Sequence, residues 1–422
     1  MLREDVERFN EWWFTGSVRR ELAPPFKRHV FSGLLETFKE RQILLIVGPR
    51  RVGKTTLMYQ AIEQLLTEVD PLHVLYYSFD ESPVNVRDIL DFYERRVLAK
   101  PFEQADRVFI FLDEIQYASN WPSTVKQFYD LYPNIKFFIS GSSTLLLSRE
   151  AAEKLAGRFF TLKVKPLTFT EFLQLKGVAG RMELSPRRAE AYFHEYLKKA
   201  GFPEIVNWES DRRIAEYIRN SVIDRVVLRD IPALFRTRNM VLMENIVRII
   251  LSNPGSLINI NALSQSLGEN KITILNYLKY LELSMLIRTL SNFRPSQLAA
   301  SRKLKKYYPI STSLTFAVLN QGFRAKIGSM LETYAVNALD AEYYYRSAGK
   351  EIDIILKNDK PLPIEVKESV SDRDIADFSK LIKRINPEKG VIISLNQETK
   401  KNNIEVIPAY ALEQQISRLK QN

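Results

Sequence analysis

The sequence contains no cysteine and only three histidines among its 422 residues. The absence of cysteine excludes disulfides, thiolate zinc sites and cysteine nucleophiles, and it fits a reducing compartment. His29, His73 and His194 are far apart in the chain, which argues against a histidine-rich metal site. No segment approaches the ~18 apolar residues of a membrane helix, and the charged N-terminus lacks the apolar part of a signal peptide. We therefore expect a soluble, cytoplasmic protein with no membrane partner.

Positive charge is concentrated in one quarter of the chain. The net charge is +11, and residues 211–310 contain 16 Lys and Arg against 7 Asp and Glu. Such a local excess indicates a polyanion partner, although a solvated basic surface would give the same count. The length predicts about two to four domains, and the 45% hydrophobic content is that of a folded protein.

Short apolar segments alternate with helical patterns between residues 41 and 165. Continuous apolar strands that alternate with helices are typical of a doubly wound parallel sheet. We therefore predict an α/β core with an N-terminal extension over residues 1–165. Its strands are predicted at 42–47, 73–79, 107–112, 136–140 and 159–164.

The rest of the chain predicts three further domains. Residues 166–240 are helical and would form a lid over the core. Residues 241–310 combine three helices with a strand pair, which is the plan of a winged helix-turn-helix. Residues 322–422 alternate strands and helices, and they predict a second, small α/β domain.

Residues 48–55, "GPRRVGKT", match the phosphate-binding pattern G-x-x-x-x-G-K-[ST] between a predicted strand and a predicted helix. Gly48 and Gly53 would let the loop wrap tightly. Lys54 would neutralise the β- and γ-phosphates, and Thr55 would offer its hydroxyl to Mg²⁺. The residues expected to bind ATP are Gly48, Pro49, Arg50, Arg51, Val52, Gly53, Lys54, Thr55 and Thr56.

An acidic pair supports the same chemistry. The apolar strand in "VFIFLDEIQ" (108–116) ends in Asp113, which suits a magnesium ion held through water, and Glu114 can polarise an attacking water. The pair predicts hydrolysis rather than nucleotide binding alone.

Two later positions suggest contacts to the γ-phosphate. Ser142, or Ser143 as second choice, follows a strand where it could sense this group, although a plain turn fits equally well. Arg158 precedes the next predicted strand and could reach the γ-phosphate of a neighbouring subunit. A surface salt bridge is the alternative for Arg158.

These motifs together resemble the AAA+ ATPases. Within that class the chain resembles an archaeal and bacterial family whose loop is "GPRRVGKTT", whose acidic motif "DEIQ" is followed by a tryptophan, here Trp121, and whose later motif is "SGSS…LAGR". That family carries a C-terminal domain related to restriction-endonuclease folds, and the resemblance covers nearly the whole chain.

The resemblance implies further roles. Ser142 falls at the sensor-one position and Arg158 at the arginine-finger position. Pro203 in "GFP" resembles a proline that packs on adenine in related signalling ATPases. Arg225 or Arg229 would be the lid sensor. Because the finger acts between subunits, the resemblance implies oligomers, often hexamers.

The basic segment overlaps the predicted winged helix, and residues 271–306 would contact DNA. On the helix 270–282 an apolar stripe would face inward, while polar residues would enter a major groove with Lys279 at the edge. A protein-binding adaptor is the alternative. The stripe is Ile274, Leu275, Leu278 and Leu281, the outward residues are Thr273, Asn276 and Tyr280, and the phosphate contacts are Lys303, Lys305 and Lys306.

The segment "EIDIILKNDKPLPIEVK" (351–367) predicts two strands with Asp353 on the first, and Glu365 and Lys367 on one face of the second. With Glu332 on the preceding helix, this order resembles the PD-(D/E)XK nuclease core, although no Pro-Asp pair precedes the strand. Asp353 and Glu365 would ligate Mg²⁺ with support from Glu332, and Lys367 would orient water. A DNA-binding fold that does not cut is the alternative.

Three functions remain compatible with the sequence. The leading prediction is an Mg²⁺-dependent ATPase that binds DNA and carries a nuclease-like domain. The main rival is a nucleotide-driven signalling switch whose C-terminal domains bind proteins or DNA without cleavage. A DNA motor related to transposons or viruses cannot be separated from the first by sequence.

Overall fold

The computed structural model describes residues 2–80, 84–141, 153–178, 185–235, 237, 239–294 and 303–421. The chain divides into two compact units, Met1–Lys165 and Pro166–Asn422. None of the helices within the described ranges is long and apolar enough to cross a membrane.

Five parallel strands form the sheet of the first unit, in the order β2-β3-β4-β1-β5. Strands β1, β3 and β4 are buried along their whole length, as their continuous apolar sequences predict. The predicted parallel α/β core is therefore confirmed. The strands are β1 Ile43–Val47, β2 Val74–Ser78, β3 Val108–Asp113, β4 Ile135–Gly141 and β5 Phe159–Lys163.

Helices cover this sheet, and the N-terminal residues protect one of its edges. The amide side chain of Asn10 pairs with the backbone N–H and C=O of Tyr76 at 2.7 and 2.8 Å, so the edge strand β2 is partly capped. The helices are α1 Leu2–Phe9, α2 Trp12–Thr15, α3 Phe31–Glu36, α4 Lys54–Leu65, α5 Val86–Tyr93 and α6 Trp121–Leu131.

The second unit is built on a nine-stranded mixed sheet, in the order β13-β14-β12-β11-β10-β9-β7-β8-β6. Six of its strands, β9 to β14, lie within residues 322–422, where the sequence predicts a second α/β domain. Its strands are β6 Ser256–Ile258, β7 Ile287–Asn292, β8 Lys305–Pro309, β9 Tyr343–Ser347, β10 Lys350–Leu356, β11 Leu362–Lys367, β12 Gly390–Ser394, β13 Thr399–Lys401 and β14 Ile404–Pro408.

One strand joins the segments 241–310 and 322–422, which the sequence treats as separate domains. β7 pairs antiparallel with β8 on one side and parallel with β9 on the other, through Ser291 and Asn292. The two segments therefore share a single sheet. The helices of this unit are α7 Phe169–Leu175, α8 Pro186–Lys199, α9 Asp211–Ile218, α10 Ile231–Phe235, α11 Met240–Ser252, α12 Ile260–Leu267, α13 Lys271–Leu283, α14 Thr312–Leu319, α15 Ile327–Ala338, α16 Asp372–Ile382 and α17 Leu412–Lys420.

Candidate functional site

The loop between β1 and α4 passes close to the backbone that follows β5. A Cβ atom on Gly48 would lie 2.2 Å from the carbonyl oxygen of Val164, so no larger residue fits there. Gly53 has a φ of 94°, in the left-handed region that favours glycine. Both glycines therefore allow the tight turn before α4, and the N–H groups at the start of such a helix can bind a phosphate.

Lys54 is the first residue of α4, and its side chain folds back over the loop. Its ammonium donates to the carbonyls of Gly48 at 3.1 Å and Pro49 at 2.9 Å, and it lies 3.8 Å from Glu114 Oε1. Only 5% of the side chain is exposed. A polyphosphate in the loop would compete with these carbonyls for the ammonium, because a charge-assisted bond is stronger than a neutral one.

Asp113 ends β3 and is the most heavily bonded residue of the site. Its Oδ2 accepts hydrogen bonds from Thr55 Oγ1 at 2.6 Å and from the Tyr76 hydroxyl at 2.9 Å. Its Oδ1 accepts from the Ser140 hydroxyl and, at 3.0 Å, from the Glu114 amide. The structure thus brings Thr55 and Asp113 together, and it adds Tyr76 and Ser140, which the sequence predictions missed.

Glu114 follows in the left-handed conformation, with a φ of 51°. Its Oε2 accepts from Gln116 Nε2 at 2.5 Å, while Lys54 faces the other oxygen. Burial raises the pKa of Glu114; Lys54 opposes this shift, and the nearby Asp113 adds to it. A carboxylate with a raised pKa, placed beside the phosphate loop, is suited to accept a proton from water.

Thr55 and Asp113 fit a magnesium ion that also binds phosphate. Mg²⁺ is usually held in such sites by one or two protein oxygens while phosphates and water complete the octahedron. The hydroxyl and carboxylate are already in contact, so both could turn to one ion. Across the described ranges, no group of three or more His, Cys, Asp or Glu side chains could hold a metal on its own.

Arg28, a third residue that the sequence predictions missed, holds the backbone of the loop. The buried guanidinium of Arg28 donates to the carbonyl of Val52 at 2.7 Å and to that of Lys165 at 2.9 Å. Arg50, within the loop, donates to the Tyr117 hydroxyl at 2.8 Å. An isolated arginine outside any motif gives no sequence signal for such a role.

Ser142 and its alternative Ser143 lie outside the described residues. Arg158 lies where strands β1 and β5 begin, whereas the phosphate-binding loop follows the end of β1. The Arg158 carbonyl accepts from the amide of Ile43, which begins β1, while the loop follows the other end of that strand. At 3.3 Å per residue, roughly 13 Å separate Ile43 from Val47, the two ends of β1. Arg158 therefore lies at the end of the sheet away from the phosphate-binding loop of its own chain.

Within its own subunit Arg158 forms an ion pair. It donates to Asp130 at 2.9 and 3.3 Å. Hydrogen bonds from Arg158 and Lys126 lower the pKa of Asp130 to about 2. Any role for Arg158 in a neighbouring subunit would require this pair to open.

The predicted acidic residues of the second unit are neighbours. Asp353 on β10 accepts from the amide of Val366 at 2.9 Å, and Glu365 on β11 lies 3.3 Å from Lys367 Nζ. Burial raises the pKa of Asp353 well above its usual value, and the charges of Glu332 and Glu365 add to the shift. The structure thus brings together the four residues that the sequence assigned to a nuclease site.

Lys306, however, does not lie at the surface, where the sequence placed it as a phosphate contact. It is 3% exposed, and its ammonium lies 2.9 Å from Glu332 Oε1 and 2.6 Å from Glu351 Oε1. The prediction was wrong because successive strand residues face opposite sides, so Lys305 points outward and Lys306 inward.

Helix α13, which was predicted to contact DNA, differs from the prediction on both its buried face and its outward face. Leu275, expected in the buried stripe, is 50% exposed, and Ile272 is 67% exposed. Tyr280, expected to face a groove, stacks on Phe235 with ring centroids 4.1 Å apart. Tyr277 takes the buried place that the sequence gave to Leu275.

The remaining predicted residues belong to helical parts of the second unit. Pro203 begins the short turn Pro203–Ile205, and its neighbour Gly201 has a φ of 101°. Arg225 immediately precedes the π-helical turn Val226–Asp230, which contains Arg229. The roles of Pro203 and of a lid arginine stay predictions.

Residues 40–173 match the family described as "AAA domain". Together with the parallel five-stranded sheet, this match supports an AAA-type P-loop ATPase fold for this part of the chain. Residues 190–324 and 327–412 match families described as "Domain of unknown function (DUF8612)" and "Domain of unknown function (DUF4143)".

Similar proteins extend over most of the chain. An "Uncharacterized protein" of Haemophilus influenzae is 27% identical over 385 residues, 88% of this chain and 94% of that protein. "Uncharacterized protein MJ1544" of Methanocaldococcus jannaschii is 28% identical over 398 residues, 87% of each chain. Among solved structures, the Aeropyrum pernix ORC1 protein in complex with DNA is 12% identical and covers 73% of this chain and 97% of that one, with a TM-score of 0.35.

Proposed function

We propose that the first unit binds ATP with Mg²⁺ and hydrolyses it. The observation that carries this proposal is the contact of Thr55 with Asp113, flanked by Lys54 and Glu114. Phosphoryl transfer needs positioned positive charge, two oxygens for a magnesium ion and a group that orients water. These four residues are of those types.

Each residue has a separate task in this proposal. Lys54 leaves the carbonyls of Gly48 and Pro49 for the phosphates. Thr55 and Asp113 would hold the metal, which when bound would neutralise charge on the β- and γ-phosphates. Glu114 orients the attacking water and accepts its proton, while Gln116 fixes the position of that carboxylate until nucleotide arrives.

Nucleotide binding and phosphate release, measured on the wild type and on Lys54→Ala, test the proposal. The variant should bind ATP weakly, because a buried cation that faces the phosphates is lost. Equal affinity and turnover in the two proteins would refute the assignment.

We further propose that the second unit binds DNA through its basic face. Lys271 and Lys279 on α13 and Lys303 and Lys305 at β8 are all exposed, and Asn276 lies on the outer face of the helix. Three helices with the β6-β8-β7 sheet support the winged helix-turn-helix assignment for this segment. Comparing ATPase rates with duplex, single-stranded and branched DNA against no DNA tests this proposal.

The C-terminal part supports a nuclease-like fold. Helix α15 is followed by the antiparallel strands β9, β10 and β11, then by helix α16 and the parallel strand β12. This order agrees with the nuclease core that the sequence resembles. We propose that the fold contributes to DNA binding.

A protein-binding switch is the second candidate, and one observation favours it. Ile272 and Leu275 expose apolar surface on α13, and base edges offer few partners for such groups. An ATPase rate that no DNA structure changes, together with a salt-independent DNA affinity, would select this candidate.

A further inference from the structure

One buried lysine of the second unit occupies the centre of an acidic cluster. Lys306 Nζ lies 2.9 Å from Glu332 Oε1, 2.6 Å from Glu351 Oε1 and 3.7 Å from Asp353 Oδ1. Its side chain is 4% exposed. The ammonium thus stands where oxygens from α15 and β10 converge, and a cation in a carboxylate cluster would occupy this same place.

Most of the carboxylate oxygens there already have partners. The Tyr308 hydroxyl donates to Glu332 Oε1 at 2.5 Å, and the amide of Val366 donates to Asp353 Oδ2 at 2.9 Å. Glu365 differs, since its Oε2 is buried without a hydrogen-bond partner. A single oxygen without a partner is too few ligands for Mg²⁺. A magnesium ion there would also lie beside the buried ammonium of Lys306, and the two positive charges would repel each other. The residues therefore do not fit Mg²⁺.

We propose that Lys306 is the fixed internal cation of this cluster, so that the second unit takes neither Mg²⁺ nor Mn²⁺ at Glu332, Asp353 and Glu365 and does not cut DNA by metal-assisted hydrolysis. The lysine comes from β8 and two of its partners from β10. It therefore ties the segment 241–310 to the C-terminal fold by charge as well as by the shared sheet. The inference holds whether or not the first unit hydrolyses ATP.

The protonation of Lys306 agrees with this role. Burial alone lowers the pKa of the lysine, but the charges of Glu332, Asp353 and Glu351 outweigh burial and raise it. The ammonium stays charged throughout the physiological range and balances part of the negative charge around it.

The first test is Mn²⁺ binding to the full chain without nucleotide, followed by electron paramagnetic resonance and by thermal melting. The wild type should show no Mn²⁺ binding that depends on Asp353 and no metal-dependent rise in the melting temperature of the second unit. Mn²⁺ binding by the wild type that is lost in Asp353→Asn would overturn the proposal.

The second test removes the charge and keeps the length of the side chain. Lys306→Met should melt roughly 5–10 °C lower, because the carboxylates are left without their cation, and millimolar Mn²⁺ should restore most of the loss. Lys305→Met, an exposed lysine of the same strand, is the control and should melt like the wild type. A folded Lys306→Met that is as stable as the wild type, or that gains nothing from Mn²⁺, would contradict the proposal.

If Lys306→Met does not fold, the double variant Lys306→Met/Glu332→Gln tests whether Lys306 acts by balancing charge. Removing one carboxylate charge with the lysine should recover folding and part of the lost melting temperature. A double variant no better than the single one would show that the lysine does not act through charge balance.

Discussion

Asp113 accepts hydrogen bonds from the side chains of Thr55, Tyr76 and Ser140. Hydroxyl groups that donate to a carboxylate fix its orientation. Burial and the charge of Asp113 in turn raise the pKa of Tyr76 well above its usual value, so the phenol remains a donor. The carboxylate is therefore oriented before any metal arrives, which lowers the cost of organising the site on binding.

Glu114→Gln is the residue-scale prediction for hydrolysis. ATP affinity should remain close to that of the wild type, because Lys54, Thr55 and Asp113 are untouched. Phosphate release should fall by about 100-fold or more, since an amide cannot accept the proton of water. Nucleotide titration and single-turnover phosphate release measure the two quantities. Unchanged turnover would remove Glu114 from the mechanism.

The pH dependence of ATP hydrolysis should follow the protonation of Glu114. The pKa of Glu114 is raised mainly by burial. Protonation removes the base, so the rate should fall on acidification, with a midpoint above the ordinary glutamate value of about 4.3. The residual activity of Glu114→Gln should not show this fall in rate on acidification. A wild-type rate that is flat down to the ordinary glutamate range would contradict the assignment.

At the scale of elements, the sequence predicts what is local and periodic. The five strands of the first unit begin and end within one residue of their predicted bounds. The inner strands β1, β3 and β4 are buried on both faces and therefore need the continuous apolar sequence that identifies them. The phosphate-binding loop was also predicted correctly from its sequence pattern. Gly48 is required by the close approach of the Val164 carbonyl, and Gly53 is favoured by its positive φ.

Contacts between residues that are distant in the chain could not be predicted from the sequence. Tyr76 and Ser140 lie on strands whose sequence indicates only burial, and their partner Asp113 lies on the strand between β2 and β4. Lys306 left a weak signal, because Lys305 and Lys306 are adjacent on one strand and must face opposite sides. Which of the two points inward depends on Glu332 and Glu351, and no local pattern reveals those partners.

The element-scale prediction concerns DNA binding at β8. Lys303→Ala/Lys305→Ala should weaken DNA binding and flatten the log–log salt slope by up to about 2, near one unit per lost phosphate contact. Arg95→Ala/Arg96→Ala, a pair of exposed residues in the first unit, is the charge-matched control and should leave the slope unchanged. Affinities from anisotropy at several salt concentrations give both slopes, and equal slopes in the two double variants would place the DNA contact elsewhere.

At the scale of the whole molecule, the position of Arg158 argues for assembly. Strands β1 and β5 run parallel, with Ile43 opposite Phe159, so Arg158 lies where these strands begin, whereas the phosphate-binding loop follows the end of β1. Phe160, two residues further along the edge strand, is 48% exposed, and Leu131 beside Asp130 is 57% exposed. A charged pair flanked by two exposed apolar side chains, one on the edge strand β5 and one at the end of α6, is a surface suited to a second copy of the chain.

We therefore predict that Arg158 acts between subunits. Arg158→Ala and Glu114→Gln should each be nearly inactive alone, since every nucleotide site then lacks either the finger or the base. A mixture should recover part of the activity, because some interfaces combine an intact Glu114 with an intact Arg158 from the neighbour. Light scattering must show that both variants still assemble. Asp130→Asn separates the two roles of the arginine, since it releases Arg158 from its own subunit and should preserve or raise turnover. Mixtures that stay inactive at every ratio, with assembly intact, would mean that the ion pair with Asp130 is the whole role of Arg158.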